Sequence, residues 1–315
     1  MRGLWLESGR LGLRDDIPEP AGDREVRVRV TKAGICSTDT ALVNGLYPFT
    51  GVIGHEFVGV VENGLHDLNG KRVVGDINAA CGNCKFCQDG MEKHCEKRTV
   101  LGIVGRDGAF AEYLSLPAKN LYTVPDSVTD DAAVFTEPLA AALEILEQID
   151  MRSGDQVLVI GPGKLGQLIA RVLHATGASV TVMGRSPEKL ARLADLDVRK
   201  ISSDSEATGF DIAVECTGNQ EGFATALTAL KPKGTLVLKS TYPGALTFDA
   251  TPVVVDEIRI VGSRCGPFDK ALKAMADGGI DPTGLIDARY ALADGLAAFE
   301  HHARAGVLKV MLEMS

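Results

Sequence analysis

The sequence predicts an α/β protein of two domains, a small barrel-like β domain joined to a doubly wound parallel sheet. Three observations predict it. Short β-branched runs punctuated by glycine and asparagine fill the chain up to Pro125. Strand and helix patterns alternate after it. A glycine-rich turn joins one such strand directly to a helix. A length of 315 residues suits two domains of ordinary size.

The β part rests on Glu25–Thr31 (EVRVRVT), which alternates strictly, and on the runs Phe57–Glu62 and Lys71–Gly75. Helical spacing with many alanines then covers Thr129–Ile149. Gln156–Ile160 (QVLVI) reads as a buried strand, Lys164–Thr176 as a helix and Ser179–Met183 as the next strand. A further helix starts at Pro187, with Ser186 as its N-cap. Asp211–Glu215 and Thr235–Lys239 are strands on either side of a helix near Gly222–Leu230. From about Cys265 the chain becomes helix-rich and closes on the strand-like Val307–Leu312, a tail expected to return to the first domain.

Composition excludes several function classes. A net charge of −9 weighs against nucleic acid as partner. No apolar run is long enough to span a membrane, and charges interrupt the N-terminus where a signal peptide would need its apolar core. A cytoplasmic location is expected, where thiols stay reduced.

Four of the seven cysteines, Cys81, Cys84, Cys87 and Cys95, stand in the spacing C-x2-C-x2-C-x7-C. In a reducing compartment this reads as a structural zinc site, since four thiolates leave no open position. An acidic chain disfavours a nucleic-acid-binding zinc module. His94 is read as a solvated neighbour of the set.

The turn Gly161-Pro-Gly163-Lys164-Leu165-Gly166 is G-x-G-x-x-G between a strand and a helix. There, Gly161 permits the tight turn, Gly163 lets the backbone approach a pyrophosphate, and Gly166 lets helix and strand pack closely. The helix N-terminus at Lys164 and Leu165 offers free N–H groups to the phosphates. At the end of the second strand, where an NAD-binding fold usually carries Asp or Glu, stand Gly184 and Arg185. An arginine binds a 2′-phosphate that a carboxylate would repel, so NADP(H) is expected over NAD(H).

Upstream, Cys36 in Gly34-Ile-Cys36-Ser-Thr38-Asp39 and His55 in Gly54-His55-Glu56 are candidates for a second, catalytic zinc. The order of these two motifs, the cysteine lobe, Glu137-Pro-Leu139 and the glycine turn resembles the zinc-dependent medium-chain dehydrogenase/reductase (alcohol dehydrogenase) family along almost the whole chain. The resemblance implies a GroES-like catalytic domain from both chain ends, 1–137 and 265–315, around a Rossmann domain at 138–264. It implies two zinc ions per chain, the catalytic one on Cys36, His55 and a glutamate. The third position falls on Glu137, which points to the polyol- and threonine-dehydrogenase branch. Glu56 approaches or binds the metal in some members, so the choice between the two carboxylates stays open. Asp39 would orient His55, and Thr38 would relay the substrate proton. A histidine that often follows this threonine is absent, with Thr40 and Ala41 in that stretch. Thr217 would contact the adenosine, and Lys309 would reach the pyrophosphate.

The activity so implied is hydride transfer between a nicotinamide cofactor and an alcohol or polyol, or its carbonyl counterpart, by a homodimer or homotetramer. The strand Glu257–Gly262 is a candidate for pairing across a two-fold axis. Two other readings stay open: a dehydrogenase of a bulky hydroxyethyl substrate, and a non-catalytic dinucleotide-binding redox sensor with structural zinc only. His66, His174, His301 and His302 are read as solvated, and Cys216 as structural.

Overall fold

The structure, a computed structural model, describes residues 1–20, 25–62, 67–202, 206–242 and 244–314. Of the residues singled out above, His66 lies outside the described residues. The chain divides into two compact units, Met1–Glu137 with Phe268–Ser315, and Pro138–Pro267.

The first unit is β-rich. Its long strand Val26–Gly34 continues the alternating run, burying Val26, Val28 and Val30 while the arginines between them stay on the wetter face. It pairs antiparallel with Glu56–Val61, Tyr113–Leu116 and the last strand, Lys309–Glu313. The tail thus returns to the first unit, with Met311 opposite Gly34. Three of its strands were not legible in the helix-rich reading of the C-terminal part or in the charged N-terminus. Ile286–Ala291, which pairs parallel with the last strand, carries an aspartate and an arginine that mask its alternation. Gly3–Glu7 and Arg10–Arg14 form an N-terminal hairpin.

The second unit is a six-stranded, all-parallel sheet in the order Arg199–Ile201, Ser179–Met183, Gln156–Ile160, Phe210–Glu215, Leu230–Leu238, Arg259–Gly262. In chain order this is 3-2-1-4-5-6, the doubly wound arrangement. The order reverses between Gln156–Ile160 and Phe210–Glu215, so a crevice opens beyond the carboxyl ends of these two strands. The helix expected over Thr129–Ile149 is two helices, Asp130–Ala133 and Thr136–Gln148. Thr129 caps the first by accepting from the Ala132 N–H. Among the described residues, no helix is long and apolar enough to cross a membrane.

Candidate metal centres and nucleotide site

Strand pairing builds the first cluster. Gly34 lies opposite Glu56, so the chain just after one strand and just before its neighbour converge, bringing Cys36 to His55. Cys36 caps the helix Ser37–Val43, and Asp39, at the third position of that helix, accepts a hydrogen bond from the Cys36 N–H at 2.8 Å through Oδ2. Its Oδ1 lies 3.1 Å from His55 Nδ1. Fully buried, Asp39 fixes both neighbours and leaves His55 Nε2 as the nitrogen available to a metal. Thr38 Oγ1 is 3.7 Å from Cys36 Sγ. Donor atoms of Cys36, His55 and Glu56 all lie within 4.8 Å of one another. Burial alone would push the His55 imidazole down, but Asp39 and Cys36 outweigh it and hold its pKa well above the usual value. A pocket that pulls a proton onto imidazole favours positive charge, and thiolate, imidazole and carboxylate are the donors zinc takes.

Glu56 has a dedicated counter-ion. Its Oε2 accepts from the Lys309 ammonium, and both side chains are almost wholly buried, at 2% and 1% exposure. Lys309 also stands over the Phe135 ring, 5.1 Å from its centroid. Gly34 makes room for the pair, because a Cβ there would lie 2.6 Å from Glu56 Oε2. Lys309, expected to reach the pyrophosphate, is paired here with Glu56.

Glu137 is the opposite case. Among the described residues it has no hydrogen bond or ion pair, and its carboxyl is pushed up to about 7. Burial is the main cause; His55 opposes, Glu56 adds to it, Lys309 opposes and Asp76 adds again. Glu137 thus feels the charges of His55 and Glu56, although it is not among the donors that lie within 4.8 Å of one another.

The cysteine lobe gathers all four sulfurs. Cys84 and Cys87 are 3.5 Å apart, as are Cys81 and Cys95. A tetrahedron with zinc–sulfur bonds of about 2.3 Å has edges of about 3.8 Å, so these spacings fit one ion. Backbone N–H donation, first from Cys87, brings the Cys84 thiol down to about 6. Loss of solvation, then Cys84, pushes Cys87 up to about 12. Four thiolates therefore need a cation to coexist. His94 stands exposed beside the lobe.

In the second unit the glycine turn follows the strand Gln156–Ile160 directly, with Gly161 at φ +105°, a value that demands glycine. A Cβ on Gly166 would lie 1.9 Å from the Gly161 oxygen, whereas one on Gly163 meets nothing within 4 Å. The helix Lys164–His174 starts without a side-chain cap, which leaves its first N–H groups for an anion. Beside the turn is a cavity of about 420 Å³ lined by Gly161, Gly184, Arg185, Thr217 and, not foreseen, Ser202 and Glu221. Glu221 hid in the sequence because Asn219 caps the Gln220–Thr228 helix, so the carboxylate two residues on reads as first-turn acid. The fully buried Glu215 was likewise missed. It accepts from the Thr217 N–H at 2.5 Å, the Gly218 N–H at 3.1 Å, and the hydroxyls of Thr217 and Tyr242, and so fixes the loop that floors the cavity. His174, His301 and His302 are half-buried rather than solvated, and His301 Nδ1 meets the Tyr290 hydroxyl at 2.9 Å.

Residues 22–126 match the Alcohol dehydrogenase GroES-like domain family, and residues 165–277 match the Zinc-binding dehydrogenase family. An L-threonine 3-dehydrogenase of Anaeromyxobacter dehalogenans is 30% identical, with 95% of this chain and 92% of the relative covered. An L-galactonate-5-dehydrogenase of Escherichia coli is 31% identical, covering 90% and 89%. The crystal structure of a zinc-binding dehydrogenase from Sinorhizobium meliloti bound to NADP superposes with a TM-score of 0.91 at 30% identity, covering 99% and 98%. That of an Escherichia coli short chain alcohol dehydrogenase complexed with NADH gives 0.91 at 27%, covering 100% and 99%. The chain belongs to the zinc-dependent, NAD(P)-dependent alcohol dehydrogenases of the medium-chain family, in the branch that holds threonine and polyol dehydrogenases.

Proposed function

We propose that the chain interconverts a polar alcohol, such as a polyol or hydroxy acid, with its carbonyl counterpart, preferring NADP(H). The observation that carries this reading is the cluster of Cys36, His55 and Glu56, whose donor atoms lie within 4.8 Å of one another, with Glu137 coupled electrostatically to His55 and Glu56. Glu56 already has Lys309, so the carboxylate that gains most from a metal is Glu137. Cys36, His55 and Glu137 would then hold the catalytic zinc, with Glu56 beside it, and Cys81, Cys84, Cys87 and Cys95 a structural one. Zinc so held supplies Lewis acidity at the substrate oxygen. Asp39 keeps the His55 ring oriented, and the Thr38 hydroxyl takes and passes on the substrate proton. The N–H groups at Gly163, Lys164 and Leu165 bind the pyrophosphate. Gly184, Arg185 and Thr217 receive the adenosine ribose, where a guanidinium favours a 2′-phosphate. Relatives named for a hydroxy-amino acid and a sugar acid support a polar substrate.

In this reading, residues 1–137 and 265–315 form the catalytic domain and 138–264 the nucleotide domain of a cytoplasmic enzyme. The strand Arg259–Gly262, an edge of the six-stranded sheet, pairs with its copy in a homodimer, itself able to double into a tetramer. The test is metal analysis with a screen of alcohols, polyols and hydroxy acids against both cofactors. Two zinc ions per chain, turnover of a polar alcohol and a higher kcat/KM with NADP are expected. One zinc ion, or a clear NAD preference, would refute the corresponding part.

A further inference from the structure

The cavity beside the glycine turn contains a carboxylate that the end of its strand cannot supply. A Cβ on Gly184 would lie 2.3 Å from both Cγ and Cδ of Pro162. A pyrrolidine ring cannot swing aside, so the proline of Gly161-Pro162-Gly163 keeps any side chain out of position 184. The acid that commonly ends this strand and binds the ribose is therefore excluded sterically. Glu221, from the helix Gln220–Thr228, lines the same cavity instead. Its Oε2 is 3.4 Å from Arg185 Nη1, and the two side chains are 68% and 80% exposed. Such a solvated pair is weak and opens easily.

We propose that Glu221 is the residue that sets discrimination between a 2′-hydroxyl and a 2′-phosphate on the bound nucleotide. With a plain ribose, the Glu221 carboxylate accepts a hydrogen bond from the 2′-hydroxyl, the service an acid at position 184 would otherwise give. With a 2′-phosphate, Arg185 leaves Glu221 for the stronger bidentate partner, and Glu221 remains nearby as a like charge. Ser202, also in the cavity, offers a hydroxyl to either form. Glu221 thus lowers the preference for the phosphorylated cofactor that Arg185 creates. This inference rests on the reading that the cavity takes the adenosine end of the cofactor.

The test is calorimetric binding of 2′,5′-ADP and of 5′-AMP to the full-length protein, which needs no substrate. In Glu221→Gln, 2′,5′-ADP should bind about tenfold more tightly and 5′-AMP slightly less, a gain that shrinks at high salt. In Arg185→Ala, 2′,5′-ADP should weaken about tenfold, and adding Glu221→Gln should then still tighten it, but by less than with Arg185 present, because the like charge is removed while no ion pair is left to break. A ratio of the two affinities in Glu221→Gln within twofold of wild type would overturn the proposal. So would the absence of any gain from Glu221→Gln in the Arg185→Ala background. Failure of either ligand to bind the wild-type protein would instead refute the cavity assignment, and the selector role with it.

Discussion

The two cysteine-containing clusters of the first unit are built in opposite ways. The lobe at 81–95 takes four donors of one kind from a single short stretch, held by backbone N–H groups and little core. The Cys36 cluster takes donors of three kinds from distant strands and helices, and lies in packed interior beside Phe135 and the buried Lys309. In the first, the metal would supply the structure. In the second, structure exists already and the metal would supply chemistry. The charges show the same division: the four thiolates of the lobe are left for a metal to balance, while the inner cluster brings its own cation for Glu56.

That contrast can be broken in several ways. Cys36→Ser should cost the most activity, roughly a thousandfold in kcat/KM from losing several kcal/mol of charge stabilisation. It should remove one zinc ion while leaving the melting temperature near wild type. A Cys36→Ser enzyme with full activity would end the catalytic assignment. Cys95→Ser should do the reverse, because Cys95 is fully buried and the lobe needs its metal to fold. It should also lose one zinc ion, and the 81–95 segment should become the first site of limited proteolysis. Unchanged protease resistance would show that the lobe folds without its metal.

Smaller effects sharpen the comparison. Asp39→Asn keeps the shape but alters the partner of His55 Nδ1, and should cost about 10–100-fold in activity or metal affinity. An equal loss from both zinc sites would contradict its local role. Glu137 gives a pH signature in metal-stripped protein. Its folded pKa is raised to about 7, so the stability it contributes is fully present below the ordinary carboxylate range and is lost as pH rises through about 7. The melting temperature of stripped Glu137→Gln should therefore lack a decline that wild type shows between about pH 4.5 and about pH 7. Parallel melting curves would remove Glu137 from the cluster.

Much of this was legible along the chain because its signals are local. Four cysteines within one short stretch, a glycine turn between strand and helix, and the Ser186 cap, whose hydroxyl accepts from the Lys189 N–H, depend on neighbours a few residues away. The edge strand Ile286–Ala291 was not legible because a half-exposed strand tolerates charge and blurs its own period. Lys309 showed the same limit at the site, since its sequence position gives no sign that it is buried 253 residues away from its partner Glu56.

The sequence by itself determined the donor types, the dinucleotide turn and the absence of an acid at position 184. Only the tertiary structure decided where the charges balance. It closed Lys309 onto Glu56, left Glu137 without a hydrogen bond or ion pair among the described residues, and brought Glu221 to Arg185 across 36 residues. The physical reason is that chemical identity and turn geometry are properties of short segments. The electrostatic state of a buried or paired group depends on what folding places against it.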